Sequence, residues 1–236
     1  MADVSRRRAV VAGLAAVALA LAAVTSCSDG GGDEGGAAPA SGAATTTTVN
    51  SGGLDIAAPD GWTPIPVPDL GFGVAVPPGW EAVLLSPEGL ATLAGSSPNV
   101  PGFVDMAHAA ATEGGLVYAA GVDQAGGISD VVVRGAPAAG VTDTAGLESY
   151  ARELAAGAGR PAQEITVVDG APYPTVRMRF EIGAADAPTR AQGTETLVAG
   201  PNDVVWDVTV TSDDAATHDD LADQITGTLT LAAPAG

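Results

Sequence analysis

The 236-residue sequence predicts an α+β fold, in which a mostly antiparallel β-sheet built from hairpins is covered by helices. Short segments in which apolar and polar side chains alternate occur in pairs joined by turn residues, which favours hairpins. Segments with helical spacing lie between these pairs. Because the strands do not alternate one-for-one with helices, a doubly wound parallel fold is disfavoured.

The amino-terminal residues are typical of an export signal. Three arginines at positions 6–8 are followed by residues 9–24, which are rich in Ala, Val and Leu. This apolar stretch is shorter than the roughly 20 residues of a membrane-spanning helix, although an uncleaved anchor is the alternative. We predict a signal peptide over residues 1–26. Ser5 and the arginines also resemble a twin-arginine signal, so the general and the twin-arginine export routes both stay open.

Cys27 is the only cysteine of the chain and comes directly after the apolar stretch. It is preceded by Val24, Thr25 and Ser26, and the four residues together resemble the lipobox of bacterial lipoproteins. This resemblance implies that Cys27 carries acyl chains such as palmitate. Two or three chains, at about 0.8 kcal/mol per buried methylene, hold a protein stably on a membrane. We therefore expect export and lipid anchoring on the outer face of the cytoplasmic membrane, with a free thiol as the alternative and no disulfide within the chain.

Residues 27–53 are predicted to be a disordered tether. They consist mainly of Gly, Ala, Ser and Asp with a run of threonines at 45–48, and Val49 is their one large apolar residue. Such a composition buries too little apolar surface to offset the entropy of ordering. A flexible coil of this length spans about 30 Å, from roughly 5 to 6 Å times the square root of the residue number. The threonines could carry sugars, but a plain spacer is favoured.

Residues 54–236 are predicted to form a single acidic α+β domain. The four prolines between Leu54 and Leu70 indicate an irregular lead-in segment. Residues 71–76 alternate as a strand does, and a Pro-Pro-Gly turn leads into residues 80–85, which predicts an opening hairpin. Ser86 is a candidate N-cap for a short helix through Leu93, and a second helix is expected to begin after the proline at 101.

Two further hairpins are predicted, one over residues 116–122 and 128–134 and one over 193–199 and 204–211. Between them, Leu147, Tyr150, Ala151 and Leu154 share one face of a helix over residues 144–156. Strands are expected at residues 165–169 and 176–182, the second with one buried face at Val176, Met178, Phe180 and Ile182. A final helix, which begins near Asp213 and Asp214, bears Leu221, Ala222 and Ile225 and precedes a short strand at 228–231.

The charge of the chain excludes several classes of partner. Removal of residues 1–26 takes away three Arg and one Asp, which leaves six Arg against 27 Asp and Glu and a formal charge of −21. The chain has no Lys. A polyanion of this kind repels phosphate backbones and anionic lipid headgroups, so we expect no nucleic-acid binding and no adsorption to lipid other than through the anchor.

Residue types that carry catalysis are scarce. With Cys27 as the single thiol and no Lys, thiol and lysine catalysis lack their parts, and no serine lies in a Gly-x-Ser-x-Gly setting. No Walker or Rossmann pattern supports nucleotide binding. We therefore predict no catalytic, cofactor-binding or metal-binding residue, and no cofactor.

Two clusters of residues are candidate ligand sites. His218 lies near Asp214, Asp219, Asp220 and Asp223, and Asp214 is expected to share a helix face with His218. A metal site there is conceivable, but acidic residues at a helix start that satisfy free amides are favoured. Three tryptophans, Trp62, Trp80 and Trp206, could line a ligand cleft, although a place in the core is favoured because each buries a large apolar area.

Several elements together resemble a known family. They are residues 76–80 (Val-Pro-Pro-Gly-Trp), the helix at 147–154, the strand at 176–180 and the closing strand, helix and strand over 204–231. This order is similar to that of the actinobacterial lipoproteins of the LpqN type, which the resemblance covers from Gly71 to Leu231. It implies a PsbP-like sandwich that is not an enzyme and works through protein contacts or a small ligand.

The function expected from the sequence is that of a surface-anchored, non-enzymatic binding or assembly module for an envelope or secreted protein. It depends on the lipobox at Cys27, the tether and the missing catalytic parts. The alternative is a carrier of a small apolar ligand in the cell envelope, with a cleft near Trp62 and Trp80. Hydrolase activity is a third possibility.

Overall fold

The computed structural model describes residues 46–51, 53–123, 126–138, 140–158, 164–182 and 191–232. The predicted signal peptide and Cys27 lie outside these residues. Within them the chain forms twelve strands and four α-helices. No described helix combines the length and the apolar character needed to cross a bilayer.

The strands are β1 (Thr46–Ser51), β2 (Leu54–Pro59), β3 (Thr63–Val67), β4 (Phe72–Val76), β5 (Glu81–Leu84), β6 (Gly115–Val122), β7 (Ile128–Pro137), β8 (Glu164–Val167), β9 (Thr175–Ile182), β10 (Ala191–Ala199), β11 (Val204–Ser212) and β12 (Thr230–Leu231). The helices are α1 (Pro87–Leu93), α2 (Phe103–Thr112), α3 (Thr144–Gly157) and α4 (His218–Gly227).

The α+β fold with mostly antiparallel strands is confirmed. Seven strands form the main sheet in the order β5-β6-β7-β11-β10-β9-β8, and a smaller sheet has the order β12-β4-β3. The pairings in both sheets, and that of β1 with β2, are antiparallel. The hairpins β6–β7 and β10–β11 and the helix α3 lie where the alternation and the helical spacing predict them.

The main sheet is covered on both faces. One face packs against β3, β4 and α4, and Trp206 of β11 contacts Phe72 of β4 with 4.4 Å between ring centroids. On the opposite face, α2 covers β6 and α3 covers β9 and β10. Because the two helices lie over different ends of the sheet, the parts of β7 and β11 between them carry polar side chains.

The predicted opening hairpin is wrong, although both of its strands exist. β4 lies in the smaller sheet between β3 and β12, whereas β5 pairs with β6 at one edge of the main sheet. All five residues of β4 are buried, and its two neighbours leave no free side for β5. The turn after β4, in which Gly79 adopts φ +81°, therefore sends the chain into the other sheet.

The predicted lead-in segment is also wrong, because it contains β2 and β3. Prolines at positions 64 and 66 lie in β3, which is an edge strand of the smaller sheet. Proline is tolerated at such an edge when its missing N–H faces away from the neighbouring strand. The register, in which Thr63, Ile65 and Val67 alternate with these prolines, satisfies that condition.

The end of the predicted tether is ordered. Residues 46–51 form β1, which pairs with β2 in a register that places Val49 opposite Ile56. Thr and Val favour extended backbone, and β2 supplies a partner strand that composition alone does not reveal. Residues 27–45 lie outside the described part of the chain.

A smaller correction concerns Ile182, which is 45% exposed at the end of β9 rather than buried with Val176.

Candidate functional site

A groove of about 460 Å³ lies between the edge strand β5 and the helix α1. Val83 of β5, Leu93 of α1 and Phe103 of α2 provide apolar side chains along it, and the ionisable residues that line it are Glu81 and Glu88. The volume falls within the range of roughly 300 to 1,000 Å³ that is usual for ligand sites. The groove is therefore large enough for a small molecule or for part of a peptide.

The position of α1 follows from its first residues. Ser86 caps the helix, and its side-chain oxygen accepts a hydrogen bond from the Gly89 N–H at 3.1 Å, as predicted for an N-cap serine. Pro87 occupies the first turn, where its missing N–H costs nothing. Gly89 lies against Leu84, and a Cβ atom at position 89 would overlap the Leu84 carbonyl oxygen. Glycine therefore lets the helix fold back against its own strand.

The outer side of β5 carries backbone groups that face away from the sheet. The Leu85 N–H donates to the Leu116 carbonyl at 2.9 Å, which identifies this pair as hydrogen-bonded. Hydrogen-bonded pairs alternate along antiparallel strands, so the N–H groups of Ala82 and Leu84 point away from β6. None of the described residues hydrogen-bonds the Ala82 N–H. β5 thus presents an unpaired edge beside the groove.

A polar network lies on the main sheet between α2 and α3. Asp207 accepts hydrogen bonds from Thr209 at 2.8 Å and from Arg134 at 3.4 Å, and it is also hydrogen-bonded to Glu195. Arg134 reaches Glu113 at 3.1 Å. Burial raises the pKa of Asp207, although Arg134 and the hydrogen bonds oppose this rise.

A neighbouring group of hydrogen bonds on the same face of the sheet surrounds Asp130. Asp130 accepts hydrogen bonds from Thr211 and, at 3.3 Å, from the Tyr118 hydroxyl. Burial raises the pKa of Asp130, and burial together with this carboxylate raises the pKa of Tyr118. The pKa of Tyr150 is raised by burial and by the nearby Asp207 and Glu195. These bonds join side chains of β6, β7, β10 and β11 and so hold the register of the strands.

The prediction that Asp214 and His218 share one face of a helix is wrong, because α4 begins only at His218. Asp214 lies in the preceding turn, where it accepts hydrogen bonds from the Thr217 hydroxyl at 2.7 Å and the Ala216 N–H at 2.9 Å. His218 is buried, its Nε2 lies 2.9 Å from the Thr194 hydroxyl, and burial lowers its pKa. Over the described residues, no three His, Cys, Asp or Glu side chains are grouped to hold a metal ion.

None of the three tryptophans lines the groove, although Trp80 directly precedes Glu81 at its edge. Trp206 is buried in the core between the two sheets, in line with the favoured interpretation. Trp62 and Trp80 are half-buried and pack against that core, and Trp80 lies over Gly121, where a Cβ atom would overlap the indole ring. The groove at β5 was not predicted. The feature of the sequence that could have indicated the groove is Gly89, because glycine is an unfavourable residue within a helix.

The solved structures to which the chain is similar include the following two. One is a crystal structure from Bacteroides thetaiotaomicron, with a TM-score of 0.41, 8% identity and coverage of 72% of this chain; this chain spans about half (48%) of that protein. The other is LpqN from Mycobacterium tuberculosis, described as involved in cell envelope biogenesis, with a TM-score of 0.34, 12% identity and coverage of 80% and 91% of the two chains. No family model and no curated protein matches. At TM-scores below 0.5, neither likeness assigns a role to a residue of this chain.

Proposed function

We propose that this chain is a lipoprotein anchored through Cys27 on the outer face of the cytoplasmic membrane, and that it binds another envelope or secreted protein as a non-enzymatic binding or assembly module. The observation that carries the proposal is the groove beside β5, which combines unpaired backbone groups with an apolar wall. Grooves of this kind bind peptide segments of other proteins. The envelope location rests on the leader and the lipobox.

The charge of the domain favours a cationic partner. The described residues hold 23 Asp and Glu but four Arg, and each of these arginines lies within ion-pair distance of a carboxylate. The field around the domain is therefore negative, because its few cations are compensated locally. Such a field raises the association rate of a positively charged protein and disfavours an acidic one.

In-cell photocrosslinking from the groove tests the proposal. A photoreactive residue replaces Thr92, which is exposed on α1 and lines the groove, or Glu153, which is exposed on α3. In cells that make the lipidated protein, we expect a discrete protein adduct from position 92 and none of that mass from position 153. The same adducts from both positions, or none from position 92, would contradict the proposal. Intact mass and fractionation beside Cys27→Ala test the anchor.

A second candidate function is transport of a small apolar ligand. Its support is the groove volume and the apolar side chains of Val83, Leu93 and Phe103. The site differs from the cleft near Trp62 and Trp80 that the sequence suggested. Native mass spectrometry of the gently extracted full chain should then show a bound mass. A chain that is empty in every preparation counts against a carrier.

A further inference from the structure

We propose that the groove binds an extended segment of the partner protein, which pairs with β5 as an added strand and places a basic side chain between Glu81 and Glu88. The inference rests on the proposed function, because it specifies how a partner occupies the same groove. The edge that receives the segment is β5, the wall beside it is formed by α1 and α2, and the charges that line the groove are those of Glu81 and Glu88.

The first argument is the accessibility of the edge. The Ala82 side chain is exposed and its backbone N–H points away from β6, so an incoming strand reaches it without displacing a neighbour. The edge strand β3 is less suitable, because Pro64 and Pro66 remove two donors from its outer side. The Leu84 carbonyl faces the same outer side of β5 but is covered by Gly89 of α1, so the free part of the edge is residues 81–83, about 10 Å long at about 3.3 Å per residue.

The second argument is the wall beside this edge. Side chains of a strand alternate between two faces, so every second residue of an added strand faces α1 and α2. There it meets Val83, Leu93 and Phe103, which are at least partly buried and apolar. β8, at the far edge of the main sheet, lies instead beside a pocket of about 130 Å³ that is lined by Glu164, Thr166, Arg177 and Arg179. That polar pocket offers no apolar wall.

The third argument is charge complementarity. Glu81 lies on the strand side of the groove and Glu88 on the helix side, and neither is ion-paired to a described arginine. Glu81 also accepts a hydrogen bond from the Asn99 N–H, which fixes its carboxylate at one end of the groove. A lysine or arginine of the added strand compensates these charges. An acidic segment meets two like charges and the negative field of the domain.

Binding of short peptides to the full chain, followed by fluorescence polarisation, tests the mode. The probe is a seven-residue labelled peptide in which Lys and Val alternate, compared with peptides that carry Gln or Glu in place of Lys. We expect the Lys peptide to bind most tightly and the Glu peptide least tightly. We also expect affinity for the Lys peptide to fall with added salt, because salt screens exposed charges.

Two proline variants test the backbone pairing. Ala82→Pro removes the N–H that faces the groove without breaking a bond between β5 and β6. Val167→Pro is the matched control, because Val167 occupies the equivalent outward position of β8. We expect Ala82→Pro to weaken binding of the Lys peptide about tenfold, the effect of one or two lost backbone hydrogen bonds, and Val167→Pro to leave it unchanged.

Methylation of the peptide provides a test that does not depend on folding of a variant. N-methyl groups on the alternate amides that face β5 should abolish binding to the unaltered chain, whereas N-methyl groups on the other amides should be tolerated.

Charge variants test the electrostatic part of the proposal. The double variant Glu81→Gln and Glu88→Gln should bind the Lys peptide about three- to tenfold more weakly. Glu153→Gln, which removes one exposed charge elsewhere, should bind it as the unaltered chain does.

The outcomes separate this inference from the proposed function. Strand addition is wrong if no peptide binds, if both methylated peptides bind equally, or if the Glu peptide binds as tightly as the Lys peptide. The protein-binding function still stands in those cases if the specific adduct forms from position 92. If that adduct is absent as well, both proposals fail. Displacement of the bound Lys peptide by a fatty acid but not by excess unlabelled peptide would also overturn strand addition.

Discussion

Gly89 of α1 lies so close to Leu84 of β5 that a Cβ atom at position 89 would overlap the Leu84 carbonyl oxygen. The contact is between two backbone segments, so no rotation of a side chain relieves the overlap. Glycine at position 89 allows α1 to lie close to the edge of the main sheet. The shape of the groove therefore depends on the absence of a side chain at one position.

Gly89→Ala should destabilise the domain and displace α1. We expect the free energy of unfolding to fall by about 1 to 3 kcal/mol, the usual cost of an added carbon in a packed site. Chemical denaturation measures the change. Gly227→Ala in α4 is the matched control, because no atom lies within 4 Å of a Cβ atom there. It should be neutral or stabilising by up to about 1 kcal/mol, since alanine favours a helix. Equal effects of the two variants would contradict the account.

Thr228→Val should destabilise the junction between α4 and the smaller sheet. The Thr228 hydroxyl accepts a hydrogen bond from the Ala75 N–H at 2.8 Å and donates to the Ile225 carbonyl at 2.7 Å, and all three residues are buried. Valine keeps the shape but leaves the Ala75 N–H without this acceptor, which costs about 1 to 3 kcal/mol.

Thermal or denaturant unfolding of Thr228→Val beside Thr230→Val checks this expectation. The Thr230 hydroxyl makes longer contacts, at 3.3 and 3.4 Å, and is less buried. Its replacement should change the free energy of unfolding by less than about 0.5 kcal/mol. If Thr230→Val is as destabilising as Thr228→Val, the assigned role of the Thr228 hydroxyl is wrong.

Asp207 and Asp130 should make stability depend on pH. Burial raises the pKa of Asp207 and Asp130 in the folded state above the ordinary value of 3.8. Folding then takes up protons between 3.8 and the folded-state pKa, so the contribution of these groups to stability falls as pH rises through that window. We therefore expect Asp207→Asn to gain stability relative to the unaltered chain when pH is raised from 3.8 to 7.

Denaturant unfolding at the two pH values measures this relative gain, and comparison with the unaltered chain cancels contributions from other groups. Asp69→Asn is the control, since Asp69 is exposed and carries the same charge change. A stability difference for Asp207→Asn that is the same at pH 3.8 and pH 7 would show that Asp207 is not held in a raised-pKa environment.

The contribution of His218 to stability should change with pH in the opposite direction to that of Asp207 and Asp130. Burial lowers its pKa below the ordinary 6.5, so the unfolded chain binds more protons below that value. The stability from a neutral buried histidine is present above pH 6.5 and is lost as pH falls through the folded-state pKa. The advantage of the unaltered chain over His218→Gln should therefore shrink between pH 7.5 and 5.5. His108→Gln, at an exposed position, is the matched control, and an advantage that grows toward pH 5.5 would contradict the account.

Local patterns were sufficient for part of the fold. The Ser86 cap predicts α1, the spacing from Leu147 predicts α3, and alternation predicts β6 with β7 and β10 with β11. These features depend on residues near one another in the chain. The pairing of β4 with β3 and β12 was missed because alternation identifies a strand but not the sheet that it joins.

The candidate sites needed information that the sequence alone does not contain. β5 is an edge only because no described strand pairs with its outer side, and the hydrogen bond between Glu195 and Asp207 depends on the register of β10 against β11. Prolines at 64 and 66 suggested irregular structure, whereas an edge strand accommodates them. Lipidation of Cys27 stays a prediction, because the residue lies outside the described part of the chain.

Amide hydrogen exchange of the full chain, with and without the Lys and Val peptide, tests the central claim most directly. The claim is that β5 is the strand that receives a partner segment. It predicts that exchange slows on peptide addition at the outward amide of Ala82, while the outward amide of Val167 in β8 is unchanged. Protection that is confined to β8, or no change at Ala82 at saturating peptide, would contradict it.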